Sequence, residues 1–325
     1  MDIAIRRRLT TDEFLCSLLA RFGDEAAIFY RKAPADTDLE ENYPHVIFSV
    51  DKFSDPQKGV AGILTVDIIN SQMHTAPEEI ERPLRERLEG VFLRPQSGEI
   101  FSLKWQRSDI FSEPVAERAA LIIGVTMTFE IYEFPLAETN APDPVEALNH
   151  WATGTNAVII GVTEFEEFFE PTREQPAIYF DVERIRLVEQ SNSKATFDAT
   201  INLHVFAPDV RSRREWLANL NHELALLGTV FANDGSPMFL QNSEYLWAAS
   251  EVQGQIQFIF RYAVTRRYPY AHPMIEAKFA TGAKIRRFED VHDKRIDFGS
   301  AEEFRRKPCA GGDGVKDERQ IDFHT

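Results

Sequence analysis

A pattern that occurs twice constrains the fold of this chain more than any other feature of its sequence. Residues 43–51 read YPHVIFSVD, and residues 175–183 read QPAIYFDVE. Each segment enters through a proline and then places apolar side chains at alternate positions, which is the period of a β-strand with one buried face. A repeat at this separation predicts two copies of one structural unit.

The elements that follow each of these segments also recur in the same order. An alternating strand comes first, then a helix whose apolar residues fall at i, i+4, i+8 and i+11, then a long alternating strand. The matched apolar positions are Leu64, Val66 and Ile68 with Ile201, Leu203 and Val205; Ile80, Leu84, Leu88 and Val91 with Trp216, Leu220, Leu224 and Leu227; and Val125, Met127, Phe129 and Ile131 with Ile256, Phe258, Phe260 and Tyr262. A penultimate strand is expected at residues 101–105 and 239–247. Pro83 is expected to delay the proper start of the first of these helices to that position.

A helix is also expected ahead of the first strand in each copy. In the first copy Thr10 and Glu13 fit a capping box, and the helix is expected to end at Gly23. Its apolar face consists of Phe14, Leu15, Leu18, Leu19 and Phe22. The matching helix of the second copy, at residues 144–151, is shorter.

The sequence therefore predicts an α+β fold made of two tandem copies of a helix-strand-strand-helix-strand-strand unit. In each copy the antiparallel sheet is expected to have its helices packed on one face. The units are placed at residues 1–134 and 144–267, with a Pro-rich linker at residues 135–143. Residues 268–325 end in a charged, Gly-rich run, which is typical of an arm that becomes ordered only against a neighbour.

The composition argues against two kinds of partner. A formal net charge of −16 disfavours binding of nucleic acid, sequence-specific binding included, because phosphate contacts need clustered Lys and Arg. No apolar run approaches the roughly 18 residues of a membrane span, so no membrane partner is expected. The two cysteines, Cys16 and Cys309, lie far apart, which favours a reducing compartment over a disulfide framework. A protein made and kept in a cytoplasm is expected.

No motif for catalysis, cofactor binding or metal binding is found in the sequence. His222 and Glu223 begin like a zinc-protease motif, but Leu226 stands where the second His belongs. The sequence contains no CxxC, GxSxG, Walker loop or GxGxxG. The chain is therefore not expected to be an enzyme, and neither a cofactor nor a metal is predicted.

The acidic run at residues 163–174 (TEFEEFFEPTRE) offers the strongest argument for the competing class of function. Paired carboxylates can serve acid and base roles, although an amphipathic segment beside a turn is the favoured interpretation. The alternative function is an enzyme or a small-ligand-binding protein with a cleft between the two repeats. It would use Glu166 and Glu167 with His204 or His222.

Two further sets of side chains are candidates for contact with partner subunits. Arginine pairs bidentately with carboxylates, and a helix entrance presents Arg211, Arg213 and Arg214, with a solvated helix face as the alternative. A second basic cluster consists of Arg6, Arg7 and Arg8. The apolar residues of the C-terminal arm gain little unless a neighbour buries them. They are Phe279, Ile285, Phe288 and Phe298.

The order of the elements resembles that of the tail terminator, or tail completion, proteins of long-tailed bacteriophages. The resemblance rests on the first helix ending near Gly23, the apolar stretch at residues 27–30, the strand YPHVIFSVD, and the strand, helix and hairpin that follow. It covers residues 10–134 and, more weakly, residues 144–267. Because it lies in element order, no functional residue is carried over by motif.

The resemblance implies a structural virion protein. Members of that family are usually single units that form a six-membered ring, which caps the tail tube and meets the head connector. Two units in one chain imply a homo-oligomer in which three chains form a pseudo-hexameric ring. Its partners would be tail-tube and head-connector proteins, and its place the virion tail or neck after synthesis in the host cytoplasm. A connector or baseplate part built on the same unit is the alternative.

Overall fold

The computed structural model describes residues 1–34, 43–55, 59–71, 76–114, 121–136, 142–246 and 251–265. Their fold is mixed α+β, with more strand than helix. The predicted arm at residues 268–325 lies outside the described residues, as do residues 137–141 of the predicted linker.

Three of the described helices begin at an aspartate that caps the helix. The helices are α1 (Asp2–Thr10), α2 (Glu13–Leu18), α3 (Pro77–Leu88), α4 (Pro144–Ala152) and α5 (Val210–Leu227). Side chains of Asp12, Asp143 and Asp209 accept hydrogen bonds from backbone N–H groups in the first turns of α2, α4 and α5, which satisfies donors that a helix start leaves open. Within the described ranges, no helix has both the length and the apolar composition needed to cross a bilayer.

Among the described residues the strands form two large sheets and one small one. In spatial order the seven-stranded sheet consists of β10 (Phe168–Phe169), β6 (Phe92–Leu93), β7 (Ile100–Pro114), β8 (Leu121–Phe134), β5 (Val60–Ser71), β4 (His45–Asp55) and β3 (Ile28–Tyr30). The six-stranded sheet consists of β13 (Thr229–Phe231), β14 (Pro237–Tyr245), β15 (Ile256–Thr265), β12 (Lys194–Phe206), β11 (Ala177–Gln190) and β9 (Val158–Ile159). The small sheet pairs β1 (Arg21–Phe22) with β2 (Glu25–Ala26).

The two large sheets follow one strand order, from β6 to β3 in the first and from β13 to β9 in the second. In both, a short strand, β3 or β9, runs parallel to the next long strand, and the longer strands are antiparallel. In the first hairpins Val46 faces Ile68 and Ile178 faces Val205. Val46 and Ile178 are matched positions of the two sequence segments, as are Ile68 and Val205.

Each large sheet buries its alternate side chains against its own helices. Leu64, Val66 and Ile68 of β5 lie in one cluster with the apolar face of α3. Ile201 and Leu203 of β12 lie in a second cluster with residues of α4 and α5. Burial of each such side chain stabilises the fold by about 1.5–3 kcal/mol.

α3 was expected to begin properly only at Pro83, and this expectation is wrong. The helix begins at Pro77, where a missing N–H costs nothing, and continues through Pro83. An interior proline costs about 3 kcal/mol. Ile80, Leu84 and Leu88 are fully buried, and at about 1.5–3 kcal/mol each their burial outweighs that cost.

The single helix expected between Thr10 and Gly23 is also wrong. α1 ends at Thr10, and α2 is capped by Asp12, whose Oδ1 accepts a 2.8 Å hydrogen bond from the N–H of Leu15. The carboxylate of Asp12 lies within reach of the start of α2, so the chain begins a new helix there. Phe14 and Phe22, expected on the apolar face, are exposed.

The buried face of α5 is rotated from the expected stripe. Leu217, Leu220 and Leu224 are buried, whereas Leu227 is exposed. Trp216 lies at the border because its indole N–H donates a 2.8 Å hydrogen bond to the carbonyl of Arg173, and a tryptophan N–H requires such a partner.

The register between the closing strand and its neighbour differs by two residues between the two sheets. Leu64 faces Phe129, but Ile201 faces Phe258, while Phe260 faces Ala199. A shift of two residues keeps every side chain on its predicted face, which is why the alternation alone could not detect it.

The penultimate strands differ in extent from the predicted ranges. β7 continues to Pro114, beyond the predicted end at Trp105, because its outer half pairs with the start of β8. Most of that outer half is exposed, so it lacks the alternating pattern from which a strand is predicted. β14 covers Pro237–Tyr245 and ends before the predicted residue 247.

Candidate assembly interface

A short strand from the second half of the chain extends the sheet of the first half. β10 lies between β9 and β11 in sequence, yet it pairs antiparallel with β6, so that Phe168 faces Leu93 and Phe169 faces Phe92. The backbone N–H of Arg94 donates a 2.9 Å hydrogen bond to the carbonyl of Glu167. The contact is a strand addition, in which main-chain hydrogen bonds supply the pairing.

Charged side chains of α1 hold the segment that contains β10. Arg8 is only 5% exposed, and its Nη2 donates to Glu170 Oε2 at 3.0 Å while its Nε donates to the carbonyl of Arg87 at 3.0 Å. The Arg8 guanidinium also lies 4.2 Å from the ring centroid of Phe168. Burial lowers the pKa of Arg8, and the hydrogen bond to Glu170 opposes that shift. Arg7 forms an ion pair with Glu167 beside it.

Aromatic side chains fill the contact between the two sheets. Phe206 of β12 lies 4.9 Å from Phe92 and 5.4 Å from Phe134, measured between ring centroids. Tyr179 lies 5.3 Å from Phe134, and its hydroxyl donates a 2.6 Å hydrogen bond to the carbonyl of Pro135. Burial raises the pKa of Tyr179 well above its usual value. Rings at these distances and tilts attract one another beyond their burial.

The acidic run at residues 163–174 forms part of this contact. Two of its three phenylalanines, Phe165 and Phe169, pack against the aromatic cluster, whereas Glu164, Glu166 and Glu167 are exposed. Arg94 lies 4.6 Å from the ring centroid of Phe165. The segment is thus amphipathic, as the favoured interpretation of the sequence had it.

The residues proposed for a catalytic cleft lie on different elements. Glu167 pairs with Arg7, His204 is a buried residue of β12 whose ring lies 5.4 Å from that of Tyr179, and His222 is exposed on α5. In the part of the chain that the structure describes, no group of three or more His, Cys, Asp or Glu side chains is arranged to hold a metal ion.

The basic residues predicted for partner contacts have two different surroundings. Arg211 and Arg214 are exposed on α5, and Arg211 pairs with Glu215 one turn later at 2.9 Å. Arg213 is half-buried and lines a groove of about 580 Å³ together with Glu170 and Asp209. Phe279, Ile285, Phe288 and Phe298, predicted for the same role, lie outside the described residues.

The cluster at the start of the chain, by contrast, is paired within the chain. Arg6 binds Glu25 at 2.7 Å, and Arg7 and Arg8 bind the acidic segment. In the sequence the basic cluster and the acidic run are separate candidates, about 160 residues apart. The opposite charges of the two runs were the signal that could have paired them.

Comparison of the sequence with models of protein families and with curated proteins gives no match.

Proposed function

We propose that this chain is a structural virion protein of a long-tailed phage or phage-like particle, which forms a ring that caps the tail tube and joins it to the head connector. The proposal includes a tandem duplication of one unit, supported by the shared strand order of the two sheets. The observation that carries it is the contact between these sheets: the second half donates β10 to the edge of the first.

A contact of this kind joins unlike surfaces of two like units. The edge at β6 is the acceptor, and the segment between β9 and β11 is the donor. A heterologous contact that repeats either closes into a ring or continues as an open filament. Three chains with two units each supply the six units of the ring that the resemblance implies.

The filling of the contact favours assembly over the alternative of an enzyme or ligand-binding protein with a cleft between the repeats. Phe92, Phe134 and Phe206 are buried between the sheets and pack edge to face or tilted against one another. A ligand cleft requires an open, concave space with a few convergent polar groups. The packing of these rings takes up that position.

The net charge fits the proposed place in the particle. A formal charge of −16 on a ring at the neck would repel DNA that passes through it and so reduce adhesion.

The test is binding to tail tubes. Purified chain is mixed with tubes of the particle whose genes neighbour its own, and electron microscopy records whether density appears at one tube end. The expected result is one cap per tube, with tubes that stop elongating. An acidic protein of similar size serves as the control for non-specific adhesion. Caps that are missing at saturating chain concentration would contradict the proposal.

A further inference from the structure

The contact between the halves joins two sheet faces that are both turned away from the helices. On the first sheet, Phe92 and Phe134 alternate along β6 and β8 with side chains that pack in one cluster with α3. On the second sheet, Tyr179 and Phe206 alternate along β11 and β12 with side chains that pack in one cluster with α5. All four rings therefore come from outer faces, which are the sheet faces opposite to these helices.

The second sheet has an exposed apolar group on its outer face at the β13 end. β13 occupies in its sheet the place that β6 has in the first. Phe231 of β13 and Phe239 of β14 alternate with Val230 and Met238, which lie in the cluster with α5, so both rings are on the outer face. Phe231 is 61% exposed and Phe239 is 49% exposed, whereas Phe92 at the corresponding edge is fully buried. We call Phe231 and Phe239 the β13 face.

The first sheet carries, on its β3 side, the counterpart of the face that the second sheet uses in the contact. By the correspondence of the first hairpins, Ile47 of β4 and Ile69 of β5 take the positions of Tyr179 and Phe206. Both isoleucines are only partly buried, whereas Tyr179 and Phe206 are buried in the contact. The same positions are thus covered in the second sheet and open in the first.

Two phenylalanines extend this open face to the sheet edge. Phe29 pairs with Ile47 across the parallel strands β3 and β4, so the two side chains point to the same side. Phe22 of β1 lies edge-on against Phe29, with 5.5 Å between the ring centroids, and is exposed. We call Phe22, Phe29, Ile47 and Ile69 the β3 face.

The contact within the chain indicates how the two open faces are used. Large apolar side chains grouped on an exposed surface mark a contact site. The contact within the chain takes the β6 end of the first sheet and the β9 side of the second, which leaves the β13 face and the β3 face. Because the two sheets of one chain already meet through the other pair of faces, a repeat of this heterologous contact needs a second molecule.

We propose that the β13 face of one molecule docks on the β3 face of a second copy of this chain. Phe231 and Phe239 then take the part that Phe92 and Phe134 have within the chain, and the β3 face takes the part of Tyr179 and Phe206. This inference rests on the proposed ring and names the two surfaces through which its chains join.

Mixing two blocked variants tests the pairing of unlike faces. Phe231→Asp blocks the β13 face and Phe22→Asp blocks the β3 face, while each variant keeps the other face intact. Each variant alone should self-associate at least about tenfold more weakly than wild type, since a charge replaces an aromatic anchor of the contact. Equal amounts of the two should form dimers that grow no further, because one intact face of each kind is present. Sedimentation velocity measures both results.

The matched control for these variants is Ile110→Asp on β7, which belongs to neither face. It should associate as wild type does, and the melting temperatures of all three variants should change little because the replaced side chains are exposed. Blocked variants that associate as strongly as wild type, a mixture that associates no better than its components, or equal weakening by Ile110→Asp would overturn the inference.

Photo-crosslinking identifies the partner residues. The full chain is prepared with p-benzoylphenylalanine in place of Phe239, and ¹⁵N-labelled and unlabelled chains are mixed and irradiated, both in solution and on tail tubes. We expect attachment to residues 21–30, 45–49 or 67–69 of a different chain. Attachment confined to the same chain, or to other residues, would overturn the inference.

The outcomes separate the docking surfaces from the proposed function. Chains that associate through these two faces but never cap tubes overturn the function and leave the surfaces standing. Caps on tubes without attachment between chains at position 239 overturn the surfaces and leave the function standing. Wild-type chains that stay monomeric in solution and on tubes overturn both.

Discussion

Arg8 and Glu170 are joined by a 3.0 Å hydrogen bond although 162 positions separate them in the sequence. Arg8 is buried, while Glu170 is exposed. The pair ties α1 at the start of the chain to the segment that adds a strand to the first sheet. It therefore links the two halves at the surface where they meet.

Replacement of Arg8 by Ala should destabilise the protein by about 1.5–3 kcal/mol, which is the usual contribution of hydrogen bonds that involve a charged group. The carbonyl of Arg87 would lose its donor at the same time. Urea denaturation of wild type and variant measures the difference in unfolding free energy.

Arg6 provides the matched control on the same helix. It also pairs with a glutamate, Glu25, but both side chains are exposed, and such pairs contribute about 0–1 kcal/mol. Equal losses of unfolding free energy for Arg6→Ala and Arg8→Ala would show that the buried contact of Arg8 with the second half adds no extra stability.

Phe206→Ala should destabilise both halves together. Phe206 belongs to the second sheet but packs on Phe92 and Phe134 of the first, and loss of a buried phenylalanine costs about 3–5 kcal/mol. Hydrogen exchange should therefore accelerate in β5 and β8 as well as in β12 and β15. Acceleration restricted to the second sheet would mean that the halves unfold independently.

Stability should depend on pH through Asp198 on the second sheet. Two hydrogen bonds from Arg261, of 2.8 Å and 2.9 Å, lower the pKa of Asp198. A lowered pKa in the folded state stabilises the fold above the unfolded value of about 3.9, and this contribution disappears as the pH falls through the folded pKa. The unfolding free energy of Asp198→Asn should thus lie below that of wild type at neutral pH, and the gap should close in acid.

Urea denaturation of both proteins at neutral and acid pH measures this gap. Asp109→Asn, which removes one partner of the exposed pair with Arg107, should have little effect at either pH. A gap for Asp198→Asn that persists unchanged into acid would show that the Asp198 carboxylate contributes by shape and not by charge.

The hairpins and the helices that cover them could be predicted because alternation and helical spacing report directly which face is buried. Ile47 and Phe48, for example, lie on opposite faces of β4, and only Phe48 is fully buried. The closing strand shows the limit of this signal, because a slide of two residues leaves the pattern of Phe258 and Phe260 unchanged.

The contact between the halves could not be predicted in the same way. β10 has only two residues, Phe168 and Phe169, and its partner β6 lies in the other half of the chain. Neither segment has a sequence pattern that identifies the other as its pairing partner. Arg8 stabilises the fold through the same long-range contact. Its neighbours in the sequence therefore identify it only as part of a basic run.

The mass of the native particle tests whether three chains close the proposed ring of six units. Mass photometry of the assembled protein, alone and released from tail tubes, compares the particle with the 37.2 kDa chain. We expect a particle of three chains. A particle of six chains, or a chain that stays monomeric when it is bound to tubes, would contradict it.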